Sequence, residues 1–417
     1  MNPTPLAPDD ALRTILDACR ALPASGCPLA AGIGRVLAEP MVSTAALPPF
    51  DNAAMDGFAL GGTAAVLAAG AEISIEGRQA AGDGPSRAQS GAWEIMTGAR
   101  LPDGLDRVVP VEQTERMEEP PRVRLLAGVA VGDNVRRAGS DVHPGETVLD
   151  AATVLSPRHL MVLAALGVAR IPVVDRPRIA VLCTGRELVD DPGQTLAPGQ
   201  IRNANGPFVV ASIPLAGAEL AHAQTVTDDS EAFCAALQRA QESGAHIVVS
   251  TGAVSMGRYD FVPGTLERLG AGIVFHKIAI RPGKPLLFAL LRDGTLFFGL
   301  PGNPMAVAVG WRFFVEPALR AMSGLPRERP WRLPLHAAFR KKAPLRFHLK
   351  SRVGRDAEGR LAVDILPGQE SYRIGSLARA DAWAVIPAET DFSPPGTLVD
   401  VYGMSHLENP IAWGNAT

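Results

Sequence analysis

The chain has 417 residues, enough for about two to four domains at roughly 100–200 residues each. Its 40 Lys and Arg against 43 Asp and Glu give a formal net charge of −3, and aromatic residues make up only 5%. A nucleic-acid binder would need a basic face or aromatic stacking platforms, so this composition disfavours that class of protein.

Hydrophobic residues at helical spacing after the Asp9-Asp10 pair predict an N-terminal amphipathic helix that ends near Pro23. Residues 45–141 contain short β-like pieces separated by Gly, Pro and Asp, which predict a small β domain. The segment SPRHLMVLAALG, residues 156–167, predicts a helix with Ser as its N-cap, Pro at its first position and Gly as its stop.

Beyond Pro177, predicted strands and helices alternate, which indicates a mostly parallel sheet with helices on both faces. A long helix over Met305–Met322 follows, and residues 331–417 return to the short strands and turns of a C-terminal β domain. The alternating elements are strand Ile179–Cys183, helix Pro207–Ala218, strand Glu219–Val226, helix Ser230–Glu242, strand Ile247–Ser250, helix Phe261–Leu269, and the extended runs Ile273–Ile280, Pro285–Leu291 and Leu296–Leu300.

The four cysteines show no C-x-x-C spacing and are too few for a disulfide framework, which fits a reducing cytoplasm. The first residues lack a basic segment followed by an apolar one, and no run of 18 apolar residues occurs. The apolar stretch Leu160–Ala169 is too short to span a bilayer. We therefore expect a cytoplasmic protein that is neither exported nor inserted in a membrane.

Polar loops follow four of the predicted strands, and ligands of a parallel sheet bind beyond the carboxyl ends of its strands. Loops rich in Gly, Ser and Thr that open onto a helix point backbone N–H groups at an anion, so they predict a phosphate pocket. The residues expected to form it are Thr184, Ser250, Gly252, Ser255, Pro301, Gly302, Asn303 and Pro304.

Three carboxylates, Glu187, Asp228 and Asp260, follow strands at the same predicted edge. Mg²⁺ takes oxygen ligands and shares them with substrate phosphates, so this set predicts a metal site. Each residue also has a simpler interpretation, because Asp228 and Asp229 suit a helix N-cap and Glu187 suits a solvated loop. The Pro301–Pro304 segment likewise suits an ordinary turn. Convergence on one edge favours the metal and phosphate site.

Three cations, Lys277, Arg281 and Lys284, lie in the segment HKIAIRPGKP at a predicted strand end beside the same edge. Lys as a point charge and Arg as a bidentate fork can hold an oxyanion, although a solvated basic turn is the alternative interpretation. Carboxylates and cations together predict metal-assisted chemistry on a phosphate or a phosphate-like anion.

Seven segments of the chain, taken in order, resemble the motifs of the MoeA family, the molybdopterin molybdenumtransferases or molybdate insertases. They are FDNAAMDGFA, IMTGA, NVRRAGSD, TGREL, the Gly/Ser loop that ends in Asp260, IAIRPGKP and GLPGNP. Seven ordered motifs over about 250 residues are far more specific than one Gly-rich loop. The resemblance implies insertion of molybdate into adenylylated molybdopterin, with Mg²⁺-dependent loss of AMP, to give molybdenum cofactor.

The resemblance also implies a multi-domain α/β plus β fold. Its parts are a three-layer, Mog-like α/β domain that binds molybdopterin (residues 1–26 and 176–326), an elongated connecting region (27–44 and 142–175), an inserted β domain (45–141) and a C-terminal β-barrel (327–417). It implies a homodimer whose active site forms between the α/β domain of one subunit and the inserted β domain of the other. The implied partners are molybdopterin adenylyltransferase and a molybdoenzyme or its chaperone, with no nucleic acid and no membrane.

Residue roles follow by position from the same resemblance. Asp56, Thr97, Arg136 and Asp141 are the contribution of the β domain, and Asp56 and Thr97 count as catalytic together with the three carboxylates Glu187, Asp228 and Asp260. The carboxylates handle the metal and the phosphoanhydride, the cations Lys277, Arg281 and Lys284 bind anionic substrate, and Pro301 and Pro304 shape the adjoining loop.

Four positions depart from the usual family pattern: Arg186 replaces Asp, Ala253 replaces Gly, Arg281 replaces Lys and Ala306 replaces Ser. Ala253 is expected to deny its loop the positive φ that Gly allows. Ala306 lacks the hydroxyl that the family Ser would offer to molybdate.

Two other functions remain open at this stage. The chain could be a molybdopterin-binding carrier or scaffold, a paralogue with weakened insertase activity. It could instead adenylylate molybdopterin, although the two β domains argue against that function, because the adenylylating proteins consist of the α/β domain alone.

Overall fold

Residues 4–254, 261–342, 344–356 and 358–408 are described by a computed structural model of the chain. The chain divides into two units. One contains residues 1–25, 34–38 and 173–417, and the other contains residues 26–33 and 39–172. Each unit has hydrophobic cores of its own.

The N-terminal helix α1 spans Pro8–Ala18, so it ends before Pro23, where the spacing places its end. From Cys19 onward the backbone is extended, and the Leu22 N–H donates to the carbonyl of Met322 at 2.9 Å. This hydrogen bond to a distant part of the chain therefore takes the place of the last helical turn that the sequence predicts. Strand β1 (Ala24–Pro28) and a 3₁₀ turn follow.

The unit of residues 26–33 and 39–172 is built mainly from short strands, as its turn-rich sequence predicts. Its strands are β2 (Met41–Val42), β3 (Asn52–Ala53), β4 (Gly57–Leu60), β5 (Val66–Leu67), β6 (Glu72–Gln79), β7 (Ala92–Ile95), β8 (Arg107–Pro110), β9 (Thr114–Glu118), β10 (Pro121–Leu125), β11 (Val129–Ala130), β12 (Val135–Arg136) and β13 (Thr147–Leu149). Strand β14 (Arg170–Val174) pairs with β1.

Six of these strands form one sheet in the order β8-β4-β7-β6-β10-β9. Successive strand residues point to opposite faces, so Ala59 enters one apolar cluster while Phe58 and Leu60 enter another. Helix α2 (Pro157–Ala165) has the predicted start, and Ser156 and His159 form a capping box.

The other unit contains the predicted alternation of strands and helices. Its elements are β15 (Arg178–Thr184), β16 (Leu188–Val189), β17 (Ile201–Arg202), α3 (Asn205–Leu215), β18 (Glu219–Val226), α4 (Ser230–Glu242), β19 (Ile247–Thr251), α5 (Val262–Arg268), β20 (Gly272–His276), β21 (Ile280–Arg281), β22 (Leu287–Leu290), β23 (Leu296–Leu300), α6 (Pro304–Gly310) and α7 (Glu316–Met322).

The main sheet has the order β18-β15-β19-β23-β22-β20. Its first four strands are parallel and only β22 runs against its neighbours, which confirms the mostly parallel sheet. Helices α3, α6 and α7 pack on one face and α4 and α5 on the other. Val181 and Val249 enter the first layer and Leu182 and Val248 the second, so the α/β domain has three layers.

The predicted long helix Met305–Met322 is interrupted. A π-helical segment, Trp311–Val315, separates α6 from α7. Pro317 has no N–H to donate to the carbonyl of Phe313, so the regular pattern of i to i−4 bonds cannot continue there.

The C-terminal strands are β24 (Trp331–Pro334), β25 (Phe339–Arg340), β26 (Arg346–Arg355), β27 (Leu361–Ile365), β28 (Ala382–Ile386), β29 (Phe392–Ser393) and β30 (Leu398–Gly403). The order β21-β26-β28-β30-β24, with β27 on β26, forms a curved sheet. A bridge between Leu335 and Val363 brings β27 back to the end of β24 and closes the predicted barrel. No helix in the described ranges is long and apolar enough to cross a bilayer.

A buried ionic network joins the interrupted helix to the C-terminal strands. Arg312, 1% exposed, makes two bonds to the Glu328 carboxylate (2.6 and 2.9 Å) and one from Nε to the carbonyl of Gly403 (2.9 Å). Buried Glu316 accepts hydrogen bonds from the Trp311 indole (2.9 Å) and the His406 N–H (2.8 Å). A charge buried as deeply as that of Arg312 is stable only because its partners are in place, whereas burial raises the pKa of the Glu316 carboxyl to about 8.

Replacing Arg312 with Met should lower the free energy of unfolding by about 3–5 kcal/mol, because it leaves Glu328 and the Gly403 carbonyl without their partner. Chemical denaturation measures the loss. Arg332→Met is the control, because it breaks an exposed pair with Asp400 (3.4 Å) that should contribute under about 1 kcal/mol. Equal effects of the two substitutions would contradict the central role of Arg312.

Candidate active site

A pocket of about 330 Å³ opens where β15, β18, β19 and β23 end. Parallel strands bring their carboxyl ends to one edge, so residues distant in sequence meet there. The predicted residues that line this pocket are Thr184, Glu187, Asp228, Gly252, Pro301, Gly302 and Pro304.

The Asp228-Asp229 pair divides between two roles. Asp229 is the N-cap of α4, and its Oδ1 accepts hydrogen bonds from the N–H groups of Glu231 (3.0 Å) and Ala232 (2.8 Å). Asp228 instead lines the pocket, and its Oδ2 accepts a bond from the Arg186 N–H (3.3 Å). The capping interpretation is therefore correct for one carboxylate and leaves the other available for chemistry.

Two carboxylates, Glu187 and Asp228, face this pocket together. The third predicted carboxylate, Asp260, lies outside the described residues, as does Ser255. Within the described ranges, no group of three or more His, Cys, Asp or Glu side chains is placed to hold a metal ion. The oxygen chemistry of the two that meet still suits a hard cation that takes further ligands from its substrate.

The loop after β19 has two consecutive residues in the left-handed region, Gly252 (φ +90°) and Ala253 (φ +50°). The expectation that Ala253 excludes a positive φ is therefore wrong, and the conformation costs roughly 1 kcal/mol relative to Gly. Gly252 has no such tolerance, because a Cβ there would lie 2.5 Å from the Thr184 carbonyl oxygen.

Backbone N–H groups are available beside these carboxylates. Those of Ala253 and Gly302, which both line the pocket, donate to no acceptor in the described part of the chain. Consecutive N–H groups in left-handed and turn conformations form concave anion sites. This pocket thus combines anion-binding loops with two carboxylates.

Asn205, Arg202 and Ala204 also line the pocket, although they were not predicted. Arg202 ends β17 of the short parallel pair β16–β17, Ala204 is the N-cap of α3 and Asn205 is the first residue of that helix. The Asn205 amide donates to the Gly302 carbonyl at 2.8 Å and ties this segment to the loop after β23. The segment NANG before a helix was the available signal, because Asn is a frequent helix-start residue.

Two predicted residues of these loops do not line the pocket. Ser250 is fully buried in β19, and its hydroxyl has no partner among the described residues. Asn303 is the N-cap residue of α6, and its carbonyl accepts bonds from Ala306 and Val307.

The three predicted cations also lie apart from this pocket. Lys277 has φ +98°, which ends β20 and turns the chain toward β21, a strand of the C-terminal sheet. Arg281 then faces a different cavity, of about 530 Å³, with its guanidinium 5.4 Å from the centroid of the Phe347 ring. Lys284 is exposed. Their role in anion binding stays a prediction.

The predicted motifs of the inserted β domain lie together within their own unit, the one of residues 26–33 and 39–172. The Asp56 carboxylate accepts bonds from the Thr97 N–H (2.6 Å) and hydroxyl (2.8 Å), across 41 positions of sequence. The Thr97 N–H, and then its hydroxyl, hold the pKa of Asp56 below its usual value. Asp56 is therefore a carboxylate anchored in its ionised form.

Arg136 and Asp141 belong to the same surface region. β12, which contains Arg136, pairs with β3, and the Arg136 guanidinium donates to the Ala54 carbonyl at 3.4 Å. The Asp141 N–H donates to the Leu47 carbonyl at 2.9 Å. These contacts bring NVRRAGSD beside FDNAAMDGFA.

Three family models match successive parts of the chain. The MoeA N-terminal region (domain I and II) matches residues 6–167, the probable molybdopterin binding domain matches residues 180–321, and the MoeA C-terminal region (domain IV) matches residues 332–403. The chain belongs to the MoeA family. The fold and the order of its motifs now have one explanation, shared descent with other MoeA proteins.

Individual MoeA proteins are similar to this chain over most of their length. A molybdopterin molybdenumtransferase of Synechococcus elongatus is 38% identical over 374 residues, 88% of this chain and 91% of the relative. One of Bacillus subtilis is 32% identical over 98% of this chain and 96% of its own. A crystal structure of the molybdopterin biosynthesis MoeA protein from Pyrococcus horikoshii OT3 has a TM-score of 0.80 at 25% identity, covering 95% of this chain and 99% of that one.

Asn205→Ala should loosen the loop after β23, because it removes the bond to the Gly302 carbonyl, at a cost of about 0.5–1.5 kcal/mol. Hydrogen exchange should become faster around Gly302. Gln241→Ala, which removes a bond of the same length to Asp293 elsewhere, should leave that segment unchanged. Unaltered exchange in the Asn205 variant would show that the loop does not depend on this bond.

Thr97→Val should raise the pKa of Asp56 part of the way to its usual value, because the hydroxyl is lost while the backbone N–H remains. A ¹³C NMR titration of the Asp56 carboxyl measures the change. Thr114→Val is the control, because that hydroxyl bonds the Val111 carbonyl instead. An unshifted Asp56 would mean that the hydroxyl contributes nothing.

Proposed function

We propose that this chain is a molybdopterin molybdenumtransferase of molybdenum cofactor biosynthesis, which inserts molybdate into adenylylated molybdopterin and releases AMP. The observation that carries the proposal is the pocket lined by Glu187 and Asp228 and by two residues, Ala253 and Gly302, whose backbone N–H groups have no acceptor in the described ranges. Membership of the MoeA family and the similarity to molybdopterin molybdenumtransferases support the choice of substrate.

The pocket suits a phosphoanhydride. The N–H groups of Ala253 and Gly302, which donate to no acceptor among the described residues, would bind phosphate oxygens, and Asn205 holds one of these loops in place. Positioning and electrostatic stabilisation of developing charge are enough for such a reaction, so no side chain need become a covalent nucleophile.

Mg²⁺ belongs to this proposal, because carboxylate pairs that share a pocket with phosphate are its usual protein ligands. Glu187 and Asp228 would hold it, with Asp260 as the further candidate from the motif. The ion, when bound, would offset negative charge on the phosphoanhydride. The Arg186 N–H already orients the Asp228 carboxylate.

On the β domain, Asp56, Thr97, Arg136 and Asp141 are proposed to act on the same substrate. Asp56 enters the reaction ionised, because two donors from Thr97 stabilise its charge. Lys277, Arg281 and Lys284 remain the proposed binding groups for anionic substrate, and Arg281 does so from its own cavity.

The implied partners are part of the proposal. An adenylylated substrate requires a molybdopterin adenylyltransferase to supply it, and the finished cofactor requires a molybdoenzyme or its chaperone to receive it. The chain is proposed to act as a homodimer in the cytoplasm. Sedimentation analysis of the purified protein tests the dimer.

The single-turnover reaction with adenylylated molybdopterin, Mg²⁺ and molybdate tests the function, with AMP and active cofactor followed together. Asp228→Ala should lower the rate by at least about 100-fold, because it removes a charge that acts on the reacting phosphate. Asp229→Asn is the matched control, because Asn also caps helices and should leave the rate within about twofold.

The outcomes separate the competing functions. Equal rates for the two variants would contradict the role of Asp228. Tight substrate binding without turnover in the unaltered chain would instead indicate a carrier or scaffold. In that case Ala306→Ser, in the first turn of α6, should increase insertion if the missing hydroxyl is the cause.

A further inference from the structure

A buried lysine of the C-terminal β domain fastens a loop at two points. Lys350 lies in β26 with 1% of its surface exposed. Its ammonium donates to the carbonyls of Gly368 (2.6 Å) and Arg373 (2.8 Å). These carbonyls lie on the two arms of residues 366–376, which we call the β-domain loop.

Gln369 strengthens this attachment from within the loop. Its side-chain amide donates to the Lys350 carbonyl at 2.8 Å and to the Leu366 carbonyl at 2.7 Å, and its oxygen accepts the Lys350 N–H at 3.1 Å. The Ser376 hydroxyl adds a bond to the Gly368 carbonyl at 3.0 Å. The β-domain loop is therefore anchored mainly through one residue of β26.

The middle of the β-domain loop contacts α6. The Ser371 carbonyl accepts a bond from the Met305 N–H at 3.1 Å. Met305 is in the first turn of α6, where N–H groups have no partner within the helix, and the Asn303 side chain makes no capping bond. The β-domain loop, which belongs to the C-terminal domain, thus supplies a cap that helix α6 itself lacks.

This cap lies next to the candidate active site. Pro304, the residue before Met305, lines the 330 Å³ pocket together with Pro301 and Gly302. If Ser371 moved away, the Met305 N–H would lose its partner at the point where the Pro301–Pro304 turn enters the helix. A displacement of about 1 Å in a substrate-binding loop is enough to cost 100-fold in rate.

We propose that Lys350 is a positioning residue for the reaction: by clamping both arms of the β-domain loop, it holds the Ser371 carbonyl against Met305 and so fixes the Pro301–Pro304 wall of the pocket. Only the activity measurement rests on the proposed function. Lysine suits this task because its ammonium donates in several directions from a long flexible stem.

The chain contains a matched control for a purely structural lysine. Lys341, 4% exposed, belongs to the same β domain and donates to the carbonyls of Leu345 and Ala388, both at 2.8 Å. No hydrogen bond joins either carbonyl's residue to α6 in the described part of the chain. Loss of Lys341 and loss of Lys350 should therefore affect stability alike and the pocket differently.

The test compares Lys350→Met and Lys341→Met in the full-length chain by denaturation and by hydrogen exchange, and follows Lys350→Met in the single-turnover reaction. Both variants should lose stability. Exchange in the segment that contains Met305 should become at least about tenfold faster in Lys350→Met alone. Its insertion rate should fall at least about tenfold. Lys341 lines the cavity that Arg281 faces, so the two lysines are compared by exchange at Met305 and not by rate.

Equal exchange at Met305 in the two lysine variants would overturn the proposal, and so would an unchanged insertion rate in Lys350→Met beside normal turnover by the unaltered chain. If the unaltered chain does not turn over, the proposed function fails while the exchange comparison still decides the role of Lys350. If Lys350→Met does not fold, Gln369→Ala should accelerate exchange at Met305 to a smaller extent, and no acceleration would overturn the proposal.

Discussion

The parallel alignment of β15, β18, β19 and β23 is the constraint on which the candidate site depends. Each strand delivers the residue that follows it to the same edge, so Glu187, Asp228 and Gly252 need no local signal to meet. Helices on both faces bury the central strands β15, β19 and β23, and this leaves the strand ends as the place where polar groups can gather.

At that edge, neighbouring residues have separate duties. Asp229 satisfies the N–H groups of a helix, while Asp228 keeps its carboxylate toward the pocket. Gly252 gives the backbone room beside Thr184, and Ala253 accepts the same left-handed conformation at some energetic cost. A strained residue in a loop that lines a pocket is consistent with selection for the shape of that loop.

Much of this arrangement is predictable from sequence, because strand ends are marked by the change from apolar runs to polar loops. Thr184, Glu187 and Asp228 were found in that way. The place of Asn205 is not predictable in this way. It comes after two strands of only two residues each, which are too short to show any periodicity. Arg281 lines a different cavity from the strand-end pocket, because the chain after Lys277, with its positive φ, enters a sheet whose other strands come much later in the sequence.

The inserted β domain shows what the sequence alone does not predict. The contact between Asp56 and Thr97 spans 41 positions, and nothing in either segment alone indicates it. Only the resemblance to a family gave those motifs a meaning, and the structure supplies the physical one, a carboxylate held by two donors. Residue chemistry locates candidates along the chain, whereas long-range pairing decides which of them meet.

The network around Arg312 has a consequence for synthesis of the protein. Arg312 and Glu316 belong to a helix of the α/β domain, but their partners include Gly403 and His406, near the end of the chain. While the ribosome is still making those residues, the buried Arg312 guanidinium and Glu316 carboxyl lack part of their hydrogen bonding. The α/β domain therefore reaches its final packing only after the last strand is released, although most of its sequence emerges long before.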